Sequence, residues 1–192
     1  IDDDGNGFVD DLIGWNFFNN NNNPNDVSGH GTSVSGIVNG TTNNNQGIAS
    51  ISYNLELMPV AGLDYNSIIY AAENGADVIN CSWGGLEFSF ADMEAVEYAS
   101  GLGSIIVAAA HNYNNSKPVY PASYPKVISV SALDPQDIKT SYSNFGSSVD
   151  VSAPGPVASS PFISLLLNNG YGITGDGTSF STPLVTSLVG LI

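Results

Sequence analysis

Three apolar segments constrain this chain more than anything else in it: DVINCSW (77–83), SIIVAAA (104–110) and KVISVSAL (126–133). Each is apolar at consecutive rather than alternating positions, so a strand made from it needs cover on both faces. The intervening segments supply that cover. SIIYAAENG (67–75), with Asn66 or Ser67 as cap and Gly75 as stop, and ADMEAVEYASG (91–101) read as helices. LELMPVAGL (55–63) is expected to be a further strand running into a loop. Alternating strand and helix predict an α/β fold, a doubly wound, mainly parallel sheet with helices on both faces. With 192 residues and no dividing linker, the chain reads as one domain.

Charge removes several function classes. Three lysines (Lys117, Lys126 and Lys139) and no arginine stand against 18 acidic residues, giving a formal charge of −15. Nucleic-acid phosphates and anionic lipids need basic patches, so neither is an expected partner. No apolar run approaches the roughly 18 residues that cross a bilayer, so membrane insertion is not expected. The lone Cys81 cannot form an internal disulfide, and its apolar setting reads as a buried structural thiol. Asparagine-rich stretches at 16–26 and 41–47 read as surface loops, because asparagine tolerates left-handed backbone and bonds to its own turn.

In an open α/β sheet, chemistry gathers where strands end and helices begin. Three segments fit. In GHGTSVSGIV (29–38), His30 lies between glycines ahead of a plausible helix, and its imidazole suits a general base near neutrality. In GDGTSFSTPLV (175–185), Ser179 precedes Pro183, a first-turn helix residue, so the serine sits by backbone N–H groups and the positive helix end. In AAAHNYNN (108–115), Asn112 follows an apolar strand, where its amide would donate to a developing negative charge. Taken singly, each is equally compatible with a capping histidine, an N-cap serine or a turn asparagine.

Taken in order, the three segments resemble the subtilisin-like serine peptidases, the subtilase family. HGTSVSG is similar to the family's histidine motif, AAAHN to its AAAGN oxyanion segment, and GTSFSTP to its GTSMAxP nucleophile motif. ELMPVAGLD, NGADVINCSWGG, YPASYPKVISVSA and NFGSSVDVSAPG resemble the connecting framework, so the likeness runs through nearly the whole chain. The resemblance implies a serine endopeptidase that works through an acyl-enzyme. It makes Ser179 the nucleophile, His30 the general base and Asn112 an oxyanion donor together with the Ser179 backbone N–H. It implies that a protein or peptide substrate adds as an extended strand along Ser82, Trp83 and Gly84, with Ala109 and Ala110 lining the primary specificity pocket. It also implies an extracellular, secreted protein, expected to be a monomer.

The sequence departs from the family at several positions. The family's triad begins with an aspartate on a strand ahead of the histidine, and nothing before His30 matches it. Asp26 lies in the asparagine-rich loop and is not expected to serve. Residues 1–192 therefore read as an incomplete catalytic domain, with that strand expected before Ile1. At the other end VTSLVGLI reads as an uncapped helix, and the fragment itself is expected to be inactive. His111 stands where the family usually has glycine, and would either narrow the pocket or add a titrating group. Ser33 and Leu184 replace histidines of the family motifs and are not expected to be catalytic. A calcium-dependent binding or adhesion module that kept the fold is the alternative, but the presence of both His30 and Ser179 favours the peptidase.

The acidic run IDDDGNGFVDD places five aspartates within residues 1–11. Asp2, Asp4, Asn6 and Asp10 alternate as in a calcium loop, with Gly7 at the turn, although position 12 is Ile13 rather than a bidentate glutamate. Some subtilases carry a similar stretch followed by a GWNF-type segment, here residues 14–17, so the resemblance points to structural calcium and to no catalytic metal. A solvated acidic turn is the other reading.

Overall fold

The computed structural model describes Asp2 and residues 4–192; Ile1 and Asp3 of the acidic run lie outside them. The elements are α1 (His30–Asn39), α2 (Tyr65–Glu73), β1 (Val78–Cys81), α3 (Phe90–Gly101), β2 (Ile105–Ala109), β3 (Val127–Leu133), β4 (Val151–Pro154), β5 (Ile163–Leu166), β6 (Gly170–Ile173) and α4 (Thr182–Val189). Strands β1 to β4 form one sheet in that spatial order, every pair parallel, and β5 and β6 form an antiparallel hairpin.

The continuous apolar runs are apolar because both faces of this sheet are covered. The β1–β2 register sets Ile79 beside Ile106 and Cys81 beside Ala108, so these four share a face. That face packs against Ile68, Ala71 and Ala72 of α2 and Val96 and Ala99 of α3. The alternate positions point the other way, where Val107, Val130 and Ala153 meet Leu184, Val185 and Val189 of α4. Ile106, Val107 and Val130 are fully buried, each a stabilisation of about 1.5–3 kcal/mol relative to exposure. Cys81 is buried, and desolvation pushes its thiol up to about 12, as expected of a structural cysteine.

Helix α1 lies against α4 and the hairpin. The Ser33 hydroxyl donates to the Leu165 carbonyl at 2.8 Å, and the Ser164 hydroxyl donates to the Ser33 carbonyl at 2.6 Å. Ser33, in place of a family histidine, is thus a buried fastening between helix and hairpin, and Leu184 is partly buried against Val34, Ile37 and Phe180.

Three local expectations differ from the structure. LELMPVAGL forms no strand; Ala61 makes a single bridge to Asn16, because Trp15–Phe17 offer it one short partner and no ladder on the other side. Helix α2 starts earlier than expected, because the Asp64 side chain, rather than Asn66 or Ser67, accepts the Ser67 N–H as cap. Helix α4 ends at Val189, short of the expected VTSLVGLI, with the Gly190 N–H making an ordinary helical bond to the Thr186 carbonyl.

Candidate active site

His30 is the first residue of α1, and the chain enters that helix through Gly29 at φ 87°. Glycine adopts this left-handed conformation freely but has no side chain to cap the helix. Asp26 supplies the cap from three residues upstream. Its Oδ1 accepts the Ser28 and Gly29 N–H groups and the Ser28 hydroxyl, while Oδ2 accepts the Thr32 N–H at 2.7 Å and the Thr32 hydroxyl at 2.8 Å. Burial opposes ionisation of Asp26, but these donors outweigh it and hold the carboxyl well below its usual range. Asp26 therefore fixes where His30 begins. With both oxygens engaged, it forms no hydrogen bond to the imidazole.

The His30 ring packs on Phe180, the residue after Ser179, with centroids 5.6 Å apart. Burial holds its pKa below the ordinary value, and the Asp26 charge opposes that shift. Ser179 lies in a 3₁₀ turn, Thr178–Phe180, just ahead of α4. Its hydroxyl donates to the Ser82 carbonyl at 3.2 Å, and the Ser82 hydroxyl donates to the Ser179 carbonyl at 2.8 Å. Ser179 and Ser82 are thus bound to each other, and among the described residues no hydrogen bond joins Ser179 to His30. An imidazole with no partner on its other nitrogen has nothing to aim it at the serine.

Asn112 stands just beyond β2, at the same end of the sheet. Its Oδ1 accepts the Thr178 N–H at 2.8 Å and the Thr178 hydroxyl at 3.1 Å. Those two bonds fix the amide's orientation and leave Nδ2 as the donor facing outward. Gly177 adopts φ 153°, and a Cβ there would lie 3.2 Å from Asn112 Nδ2, so glycine is needed at this approach. Sequence reasoning passed over Thr178, which is fully buried. Its position between Gly177 and Ser179, at a turn into a helix, was the available signal.

The remaining expected residues fall into two groups, one at the ends of β1 and β2 and one in the acidic run. Ser82, Trp83 and Gly84 extend β1; Trp83 packs edge-on against Tyr65 at 5.6 Å, and Gly85 next to them bridges Tyr120. Ala109 and Ala110 are buried at the end of β2. In the acidic run, the Asp2 carboxylate accepts the Gly5 and Gly7 N–H groups. Asn6 Nδ2 faces oxygens of Asp4, Asp11 and Asn74 at 3.1, 3.2 and 3.0 Å. Asp10 joins this region through its carbonyl, which accepts from Asn22 Nδ2. Asp11 and Asn74 were not anticipated. Among the described residues, no group of three or more His, Cys, Asp or Glu converges as a metal site.

The structure thus sets a histidine at a helix start against the turn that carries a serine at the next helix entrance, with an oriented asparagine amide bound to the same turn. The family model described as "Subtilase family" matches residues 1–192. The chain belongs to the subtilase family. It is 40% identical over 189 residues to thermitase of Thermoactinomyces vulgaris, covering 93% of this chain and 66% of that protein. It is also 40% identical over 191 residues to the thermophilic serine proteinase of Bacillus sp. (strain AK1), covering 94% of this chain and 46% of that one. The chain thus spans from under half to about two thirds of the length of these subtilases. Among solved structures, a cold-adapted subtilisin-like serine proteinase superposes with a TM-score of 0.82 at 29% identity, over 93% of this chain and 66% of the other.

The cap on α1 gives a direct expectation. Replacing Asp26 with Ala is expected to destabilise the full-length protein by about 1 kcal/mol. The Asp26 carboxyl is depressed in the folded state, so its contribution is present above the usual value near 3.8 and fades as pH falls below it. Thermal unfolding of wild type and variant should show a gap at pH 6 that closes in acid; equal melting temperatures at pH 6 would exclude this role.

Proposed function

We propose that the chain is the histidine- and serine-bearing part of a secreted subtilisin-like serine endopeptidase. The observation that carries this reading is the amide of Asn112, locked by Thr178 with its Nδ2 turned outward beside the Ser179 turn. Ser179 attacks the scissile carbonyl to give an acyl-enzyme; His30 takes its proton and returns it to the leaving amine. The oxygen that becomes negative is met by Asn112 Nδ2 and the Ser179 backbone N–H. The substrate lies extended along Ser82–Gly84, with Ala109 and Ala110 beside its primary side chain. One relative, the minor extracellular protease Epr of Bacillus subtilis, is 35% identical over 178 residues, which supports secretion. No nucleic acid, membrane or second subunit is required.

His30 needs a carboxylate at its second ring nitrogen. Among the described residues Asp26 is the one carboxylate whose charge acts on His30, and its oxygens are occupied. In this proposal the orienting aspartate comes from a part of the full-length protein other than residues 1–192.

The acidic run fits a hard cation. An amide nitrogen has two protons, yet Asn6 Nδ2 is ringed by three oxygens, from Asp4, Asp11 and Asn74. An all-oxygen set of this kind suits calcium rather than a thiol- or imidazole-seeking metal. Asp4, Asp11 and Asn74 would hold it where the Asn6 amide nitrogen now points, Asn6 Oδ1 staying with the Phe8 N–H, with Asp2 bracing the loop through Gly5 and Gly7 and Asp10 through Asn22.

Two measurements test this reading. A fluorophosphonate probe should label Ser179 in the full-length protein and not in Ser179→Ala, while residues 1–192 alone should cleave peptides slower by a factor on the order of 10⁴. Absence of label beside a reactive control would favour a non-catalytic binding module instead. For the cation, EDTA should lower the melting temperature, since a ligand at a hundredfold excess over its Kd stabilises by about 2.7 kcal/mol. The Asp4→Asn/Asp11→Asn variant should lose that response; a melting temperature indifferent to calcium would remove the cation from the account.

A further inference from the structure

His111 occupies an unusual position. It follows Ala110 on one wall of the expected specificity pocket, and its ring reaches the other wall, where a methyl group on Gly84 would lie 3.3 Å from the imidazole Cδ2. The backbone holds it there: the His111 N–H donates to Thr178 Oγ1 at 3.1 Å, and its carbonyl accepts the Asn144 N–H at 2.9 Å. The ring also stacks on Tyr113, with centroids 4.8 Å apart and planes within 10°.

This arrangement is costly. His111 adopts φ 80°, a left-handed conformation that glycine takes without strain. Its Nδ1 is buried and has no hydrogen-bond partner, a state seldom retained where packing alone is served. Burial holds its pKa below the ordinary value, against the opposing pull of the Gly84 backbone.

We propose that His111 sets the primary specificity of the site: its ring, clamped between Tyr113 and Gly84, spans the space between Ser82–Gly84 and Ala109–Ala110. The substrate residue preceding the scissile bond must then carry a small side chain, such as alanine, rather than an aromatic one. This rests on the peptidase reading above, because it concerns the pocket that reading assigns. Gly84 belongs to the same device, since its missing side chain makes room for the ring; a Cβ there would also lie 2.7 Å from the Tyr120 carbonyl oxygen.

The test uses the full-length protein and two chromogenic peptides, succinyl-Ala-Ala-Pro-Ala-p-nitroanilide and succinyl-Ala-Ala-Pro-Phe-p-nitroanilide. His111→Gly removes both the strained φ and the orphaned nitrogen, so it is expected to fold with an undiminished melting temperature. The Phe/Ala ratio of kcat/KM should rise by at least about tenfold, the scale on which pocket volume discriminates side chains. His111→Asn, which tolerates the same backbone, should give an intermediate ratio. A folded His111→Gly protein with Ser179 labelled by fluorophosphonate and an unchanged ratio would overturn the proposal alone. Failure of wild-type Ser179 to label would overturn the peptidase reading and this proposal with it.

Discussion

Thr178 is the joint on which the site depends. Its N–H and hydroxyl both reach Asn112 Oδ1, and its hydroxyl oxygen receives the His111 N–H. Two segments brought together by the fold, the exit of β2 and the entrance of α4, are thereby tied at one fully buried residue. A side-chain amide can be flipped by exchanging oxygen and nitrogen, and only its partners decide which atom faces outward. Here both donors of Thr178 claim the oxygen, so the nitrogen is left free of Thr178, as the proposed oxyanion donor requires.

The sheet delivers the other parts to the same edge through a chain of polar contacts. From α4 the Thr186 hydroxyl donates to Asn80 Oδ1 at 2.8 Å, Asn80 Nδ2 donates to the Ser82 hydroxyl at 2.9 Å, and Ser82 donates to the Ser179 carbonyl. Helix α4, the edge strand β1, Ser82 and Ser179 are in this way held in one register. Each link is a modest net contribution of about 1 kcal/mol, but breaking one leaves a largely buried polar group unpaired. This accounts for polar residues in an interior otherwise filled by Ile106, Val107 and Val130.

The sheet was legible from sequence because burial on both faces leaves an unmistakable pattern, as in VINC and IIVAA. His30, Ser179 and Asn112 stood out in sequence through motifs whose order and glycines are specific together. LELMPVAGL misled because an apolar run states a need for cover without saying whether a strand partner stands beside it. Asp26 and Thr178 were hidden for a different reason. Their importance lies in hydrogen bonds to backbone that only the folded turn brings within reach. His111 stood out in sequence as a departure from glycine; only the structure shows that its ring crosses to Gly84.

In the proposed mechanism Thr178 orients the donor that meets the developing charge. The direct measurement is kcat and KM for full-length Thr178→Val, which keeps the shape and the backbone N–H but removes the hydroxyl. The account predicts a fall in kcat of about 10–100-fold, below the 10²–10³ typical of removing an oxyanion donor outright, with KM within about threefold of wild type. A folded variant with kcat unchanged would contradict it.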